Sequence, residues 1–204
     1  MKALVLDYGN VISELQNQGC WDRMSVLSGL PAGLFRTAFA ERRADFDRGA
    51  VSGQDLYRGL LIRAGWAGSR ADLDALALAL LEEDMDSWSR VSGEVTAWAR
   101  SIQEAGHPLG ILSNMPFEFL ERYGPRIELF ARADAAVFSC REGFVKPEPA
   151  IFDVLIERLG LEPRDIVFFD DMDGNVEAAR RAGITAFPWT GLEAAKCDWE
   201  KALE

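Results

Sequence analysis

The 204-residue sequence predicts an α/β protein with a doubly wound parallel sheet and an inserted helical subdomain. Short apolar runs without polar alternation, at residues 3–6, 108–112 and 166–169, indicate strands that are buried on both faces, as in parallel sheets. After residue 93 such runs alternate with helical patterns, which favours right-handed strand–helix–strand units. Between residues 19 and 92, helical patterns follow one another without a strand.

The first strand, residues 3–6, ends abruptly at Asp7, which is followed by the turn-forming Gly9 and Asn10. Four helices follow, and two of them have serine N-caps. They are predicted over residues 21–30, over residues 31–47, after Ser52 and after Ser69. We therefore predict a core domain of residues 1–15 and 90–204, with a helical cap subdomain over residues 16–89.

The second half of the chain supplies the rest of the predicted sheet and its covering helices. Glycines and prolines separate the segments, and these residues commonly mark the ends of helices and strands. The helices are predicted over residues 95–105, 117–123, 149–159, 176–182 and 192–203, and the strands over residues 108–112, 135–138, 166–169 and 184–187.

The charge balance restricts the classes of partner. With a formal net charge of −11, the chain is poorly suited to nonspecific binding of nucleic acid or of anionic membranes. No apolar run approaches the roughly 20 residues that span a bilayer. An anionic substrate would need local help from a metal ion or from a few placed cations.

The three cysteines, Cys20, Cys140 and Cys197, are widely spaced and form no CxxC pattern. This usage is typical of a reducing compartment. The sequence goes straight into a strand, without the basic and apolar segments of a signal peptide. We expect a cytoplasmic protein, and the sequence assigns no oligomeric state.

Polar residues follow three of the predicted strands: Asp7, Ser113–Asn114 and Asp170–Asp171. Because the carboxyl ends of parallel strands lie at one edge, these residues should converge there. Clustered carboxylates repel one another, and Mg²⁺ relieves that repulsion while binding a substrate phosphate. Lys146, in a predicted loop, can supply a further positive charge. Taken singly, Asp7 could merely cap a turn, and Lys146 could be a solvated loop cation.

The same segments resemble the four motifs of the haloacid dehalogenase (HAD) superfamily of hydrolases. Leu6–Val11 is similar to the nucleophile motif, and Leu112–Asn114 is similar to the second motif. Lys146–Pro147 matches the lysine motif, and Phe168–Val176 resembles the acidic fourth motif. The order and the helical insertion resemble the subgroup whose cap follows the first motif on a Rossmann-like core. The nucleophile motif is similar to that of sugar-phosphate phosphatases of the glucose-1-phosphatase type.

This resemblance implies that Asp7 attacks the phosphorus of a phosphomonoester and forms an aspartyl-phosphate. Mg²⁺ would be held by Asp7, by the Gly9 carbonyl and by Asp171. Asp170 would be either a further ligand or an outer partner that reaches a bound water.

The resemblance also implies residues that bind the phosphoryl group. Ser113 and the backbone N–H of Asn114 would contact its oxygens, and Asn10 is expected at the same group. Lys146 would pair with Asp7 and with the phosphate. Asn175 would hold Lys146 or a metal-bound water.

One position departs from the family pattern. Most phosphatases of the superfamily have a second Asp two residues after the nucleophile, and here that position is Gly9. General acid–base help is worth about 10² to 10⁴ in rate. We therefore expect slower turnover, a restriction to good leaving groups, or help from a cap residue or a substrate hydroxyl.

The resulting prediction is a metal-dependent phosphatase that acts on a small phosphorylated metabolite, such as a sugar phosphate. The alternatives are a 2-haloacid dehalogenase-like hydrolase, whose family members also lack the second Asp, and a catalytically weak HAD-fold binding or regulatory protein. A dehalogenase needs no metal, so the Asp170–Asp171 pair would then have no use.

Overall fold

The computed structural model describes the backbone of residues 1–204 and all side chains except that of Ala38. Within this backbone a five-stranded sheet has the order β3–β2–β1–β4–β5, and every adjacent pair of strands is parallel. The strands are β1 (Ala3–Leu6), β2 (Leu109–Ser113), β3 (Ala135–Phe138), β4 (Ile166–Asp170) and β5 (Thr185–Pro188). The order places the first strand at the centre of the sheet.

Helices cover the sheet and form a separate group between β1 and the rest of the core. They are α1 (Gly19–Ser28), α2 (Ala32–Asp47), α3 (Gly53–Arg63), α4 (Arg70–Ser87), α5 (Gly93–Glu104), α6 (Phe117–Tyr123), α7 (Glu128–Arg132), α8 (Ser139–Glu142), α9 (Pro149–Leu159), α10 (Asp173–Arg181) and α11 (Leu192–Leu203). Among the described residues, no helix has the length and apolar character needed to cross a membrane.

The sheet is buried on both faces, as its unbroken apolar runs predict. Leu6 and Phe169 belong to the apolar cluster that includes Trp98 of α5. Val5 and Phe168, which point the opposite way, pack in a second cluster with α9 and α10. Since successive residues of a strand face opposite sides, both layers are required to bury these strands. The predicted doubly wound α/β fold is confirmed.

The predicted elements match the structure with small differences at their ends. The Ser52 and Ser69 hydroxyls accept hydrogen bonds from the backbone N–H groups of Asp55 and Asp72, so both predicted N-caps are present. Strand β4 extends one residue further than predicted and includes Asp170. The short helices α7 and α8 were not predicted, because fewer than two turns show no clear periodicity.

Helices α1–α4, residues 19–87, form the group that we call the four-helix segment. Its connections to the core are held together by an antiparallel bridge between Ser13 and Val91. Its helices share one apolar cluster with β1 and α5. Arg48 also forms a 2.9 Å ion pair with Glu148 of the core. The division into a core domain of residues 1–15 and 90–204 and a cap of residues 16–89 stays a prediction.

Candidate active site

Asp7 lies at the carboxyl edge of the central strand, between residues from the two neighbouring strands. Ser113 ends β2 on one side, and Asp170 ends β4 on the other. All three side chains are buried. The parallel register therefore brings together residues that are more than 100 positions apart in the sequence.

The Asp7 carboxylate is held in place by two donors. Its Oδ1 accepts hydrogen bonds from the backbone N–H of Tyr8 at 2.7 Å and from Lys146 Nζ at 2.9 Å. Burial raises the pKa of Asp7 to about 7, and the charge of Asp170 adds to this rise while Lys146 opposes it. The Ser113 hydroxyl also favours the ionised form.

Lys146 connects the two buried aspartates. Its Nζ lies 2.5 Å from Asp170 Oδ2 and donates to the Leu112 carbonyl at 3.0 Å, in addition to its contact with Asp7. Burial alone would lower the pKa of Lys146, but the ion pairs with Asp7 and Asp170 outweigh burial and raise it. The lysine therefore stays charged at neutral pH.

Asn114 positions the lysine through the main chain. The Asn114 Oδ1 accepts the backbone N–H of Lys146 at 2.7 Å, and its Nδ2 donates to the Lys146 carbonyl at 2.9 Å. This paired contact fixes the loop between α8 and α9 against the end of β2. The predicted use of the Asn114 backbone N–H for phosphate binding stays a prediction.

The Asp170 carboxylate is fully surrounded by donors. Asn175 Nδ2 donates to both of its oxygens, at 2.9 and 3.1 Å. The backbone N–H of Met172 also donates to Oδ1, and Lys146 contacts Oδ2. Asn175 was expected to hold Lys146 or a metal-bound water, and the structure instead places it on the neighbouring carboxylate. Asp170 is thereby better suited to positioning Lys146 than to direct metal binding.

Asp171 is oriented by Asn10, which was expected at the phosphate. Asn10 Nδ2 donates to Asp171 Oδ2 at 2.8 Å, and Asn10 Oδ1 accepts the backbone N–H of Gln16 at 3.1 Å. Both ends of the Asn10 side chain are therefore occupied within the protein. Burial raises the pKa of Asp171, whereas the hydrogen bond from Asn10 lowers it.

The three aspartates form a candidate metal centre. Oxygen atoms from Asp7, Asp170 and Asp171 all lie within 4.8 Å of one another. Carboxylate and carbonyl oxygens are the hard ligands that Mg²⁺ prefers. Because the Asp170 oxygens are already hydrogen-bonded, Asp7 and Asp171 are the better candidates for ligands. The Gly9 carbonyl lies on the same loop.

A cavity of about 270 Å³ opens above this edge, and both parts of the molecule line it. Asp7, Lys146 and Asp171 contribute from the core. The four-helix segment and the residue after it contribute the side chains of Phe39, Arg43, Met85 and Trp88. None of these four side chains was assigned to the site from the sequence.

The sequence of the chain matches the haloacid dehalogenase-like hydrolase family over residues 6–183, which is most of its length. The chain belongs to this family. The alignment covers all the site residues described above, so the predicted superfamily resemblance is confirmed, and the chain is a hydrolase.

Relatives of this HAD-like hydrolase include a sugar-alcohol phosphate phosphatase and a longer epoxide hydrolase. It is 24% identical to the D-ribitol-5-phosphate phosphatase of Bacteroides thetaiotaomicron, over 100% of this chain and 97% of that protein. It is also 39% identical to mouse bifunctional epoxide hydrolase 2 over 57 residues, but these are only 28% of this chain and 10% of that protein. The HAD-like chain therefore matches only a small part of that longer relative.

Solved structures show the same fold. A HAD family enzyme from Bacteroides thetaiotaomicron, crystallised with magnesium and inorganic phosphate, superimposes with a TM-score of 0.69 at 18% identity. The superposition covers 92% of the HAD-like chain and 93% of the crystallised one.

Proposed function

We propose that this HAD-like hydrolase is a Mg²⁺-dependent phosphatase that acts on the phosphomonoester of a small metabolite. The observation that carries the proposal is the contact between Asp7 and Lys146, at 2.9 Å, beside two further aspartates whose oxygens lie within 4.8 Å. A nucleophilic carboxylate, a fixed cation and a hard-ligand cluster are the parts that phosphoryl transfer requires. The phosphatase among its relatives supports the same reaction.

In the proposed reaction Asp7 is the nucleophile. One of its carboxylate oxygens forms a bond to phosphorus while the ester P–O bond breaks, and the leaving oxygen takes a proton from a solvent water to become an alcohol. A second water then attacks the phosphorus of the aspartyl-phosphate, which breaks the acyl P–O bond, releases phosphate and restores the carboxylate. The proton that this water gives up to solvent balances the one taken by the alcohol. The hydrogen bond from the Tyr8 N–H fixes the rotation of the carboxylate throughout.

Lys146 neutralises charge at the reacting centre. It is buried, already paired with Asp7 and held by Asp170, so little reorganisation is needed when phosphate binds. Ser113 and the backbone N–H of Asn114 are assigned to the phosphoryl oxygens. Asn10 and Asn175 are assigned positioning roles on Asp171 and Asp170, because their side chains donate to those carboxylates.

The donor set fits Mg²⁺. Asp7, Asp171 and the Gly9 carbonyl are the groups that would hold the ion, and Asp170 would act from outside through Lys146 and Asn175. The bound ion would supply positive charge that offsets the clustered carboxylates and the substrate phosphate.

The test is phosphate release from p-nitrophenyl phosphate with Mg²⁺ and with EDTA. We expect turnover that requires the metal and falls to background in Asp7→Asn and Asp171→Asn. Asp173→Asn is the matched control, since Asp173 is an exposed acidic residue close in sequence to Asp171, and it should retain turnover.

The competing functions give different results in the same experiment. Halide release from chloroacetate without metal, and no phosphate release, would support a dehalogenase. Ligand-induced thermal shifts without hydrolysis of any phosphate ester would support a binding protein. Either result would overturn the proposed phosphatase.

A further inference from the structure

One wall of the cavity comes from the four-helix segment and the residue that follows it, and this wall is mostly apolar. Phe39, Met85 and Trp88 lie there, and Arg43 is the charged side chain among them. Substrate atoms beyond the phosphate must contact this wall, because the phosphate itself is bound at the sheet edge in the proposed function. Arg43 is therefore placed to contact the leaving group.

Arg43 is fixed before any ligand binds. Its Nε donates to Asp47 Oδ2 at 2.7 Å, and its guanidinium carbon lies 4.7 Å from the centre of the Phe39 ring. About 25% of its side-chain surface remains accessible. Among the described side chains, none accepts a hydrogen bond from its two Nη groups. These groups are available as donors in a preorganised position.

Two buried carboxylates surround this single cation. Asp47 and Asp84 are 4% and 0% exposed, respectively, and both favour the charged form of Arg43. Burial raises the pKa of Asp84 to about 6, and the charge of Arg43 has the largest opposing effect. Burial also raises the pKa of Asp47, and Arg43, 2.7 Å from Asp47 Oδ2, opposes the rise at both carboxylates, so the guanidinium charge is already shared between two acidic partners.

This charge balance decides which ligand Arg43 suits. An arginine with one carboxylate partner could still attract an anion, as arginines commonly do at phosphate and carboxylate sites. An arginine beside two buried carboxylates retains its N–H donors but has no surplus positive charge for a second anion. A neutral acceptor, such as a hydroxyl, uses those donors without the electrostatic cost.

We propose that Arg43 is a specificity-determining residue that donates hydrogen bonds to hydroxyl groups of a neutral, polyhydroxylated leaving group. The enzyme would thereby prefer phosphomonoesters of sugars or polyols over those whose leaving group carries a carboxylate or a second phosphate. The Trp88 and Phe39 rings would contact the C–H groups of the same substrate. This inference rests on the proposed phosphatase function.

The first test uses two pairs of substrates that differ in a distal charge. Glucose 1-phosphate is compared with glucuronic acid 1-phosphate, and glycerol 3-phosphate is compared with 3-phosphoglycerate. In each pair, a CH₂OH group of the neutral compound is replaced by a carboxylate in the acidic one. We expect kcat/KM to be at least about tenfold higher for the neutral member of a pair that is turned over. Equal values, or a preference for the acidic members, would overturn the inference.

The second test changes the charge balance without touching the guanidinium. Asp84→Asn removes one carboxylate and keeps the size of the side chain. We expect it to shift the ratio of kcat/KM values toward the acidic member by about three- to tenfold, since the unit charge lies close to Arg43 in a partly buried site. A role of Asp84 in folding alone would lower activity on both members equally and leave the ratio unchanged.

The third test changes the donor. Arg43→Lys retains a positive charge that can pair with Asp47 but loses the planar fork of donors. We expect KM for the neutral sugar phosphate to rise about tenfold, with a smaller rise for p-nitrophenyl phosphate, which has no hydroxyls. Arg42→Lys is the matched control, because Arg42 lies on the same helix, is exposed and pairs with Asp45. Equal effects on both substrates would contradict the assigned role.

Failure of this inference and failure of the proposed function are separable. If p-nitrophenyl phosphate is hydrolysed with Mg²⁺ but neither pair shows a preference for the neutral member, only the role of Arg43 is wrong. If no phosphate ester is hydrolysed, the proposed phosphatase is wrong, and the substrate class falls with it.

Discussion

The indole ring of Trp88 packs against Gly9 at the position where a side chain on residue 9 would begin. A Cβ atom built on Gly9 would lie 3.4 Å from the Trp88 ring, at van der Waals distance. Trp88 is fixed there, since its carbonyl accepts a hydrogen bond from the Tyr8 hydroxyl at 2.8 Å. The space that an acidic side chain at position 9 would use is therefore partly filled by an aromatic ring.

We predict that Gly9→Asp alone will not supply an efficient general acid, because its carboxylate would meet Trp88. The double variant Gly9→Asp/Trp88→Phe provides more room and should raise kcat/KM for alkyl phosphates by about tenfold or more. Hydrolysis of p-nitrophenyl phosphate should gain little, since its leaving group needs no proton. Trp88→Phe alone is the control. A full gain from the single Gly9→Asp variant would show that Trp88 does not restrict this position.

Asn10→Gly should weaken metal activation. Glycine accepts the left-handed backbone at this position, where φ is 57°, so the substitution causes no backbone strain and removes the two side-chain hydrogen bonds of Asn10, to Asp171 and from the Gln16 N–H. We expect the Mg²⁺ concentration for half-maximal activity to rise about 10- to 100-fold. The measurement is a metal titration of initial rates, with Gln18→Gly as an exposed control. An unchanged midpoint would mean that Asp171 needs no support from Asn10.

Lys146→Met should destabilise the fold as well as abolish turnover. It leaves Asp7 and Asp170 buried next to each other without their shared cation, and breaking a buried pair costs about 3–5 kcal/mol. Urea unfolding measures the loss, and Mg²⁺ should recover part of it in the variant. Lys201→Met, at an exposed lysine, should be neutral. If the variant is as stable as the parent protein, Lys146 does not stabilise the fold by neutralising Asp7 and Asp170.

Asp84→Asn should stabilise the protein at neutral pH. The pKa of Asp84 rises from 3.8 to about 6 on folding, so the ionised native state is penalised and stability falls as pH rises through this range. The variant should match the parent below about pH 4 and exceed it by about 3 kcal/mol above pH 7. Urea unfolding at several pH values tests this. If the free energies of unfolding of variant and parent differ most at acid pH, the prediction is wrong.

The sheet and its active edge were predictable because each depends on short, local patterns. The apolar run before Asp7 and the similar run before Asp170 indicate buried parallel strands, and the ends of such strands share an edge. The Lys146 loop could be placed there only with the help of the motif order. The roles assigned to these residues in catalysis remain predictions.

The wall of the cavity was not predictable in the same way. Trp88 lines the cavity, and Asp84 lies near Arg43, only because of how the helices pack on the core and on one another. No local sequence pattern encodes that packing. From the sequence, Asp47 and Asp84 would be expected on the exposed faces of helices, although both are buried. Asn10 and Asn175 line the cavity, but their hydrogen-bond partners depend on side-chain orientations that spacing alone does not give.

The antiparallel bridge between Ser13 and Val91 sets the two connections of the four-helix segment side by side. Strands joined in this way are within reach of a tight turn of a few residues. The segment thus begins and ends at a single point of the sheet edge, so its length and composition can change without altering the strand register. A shortened protein in which a brief hairpin replaces residues 14–90 would keep the same strand order, but its cavity would lose Phe39, Arg43, Met85 and Trp88.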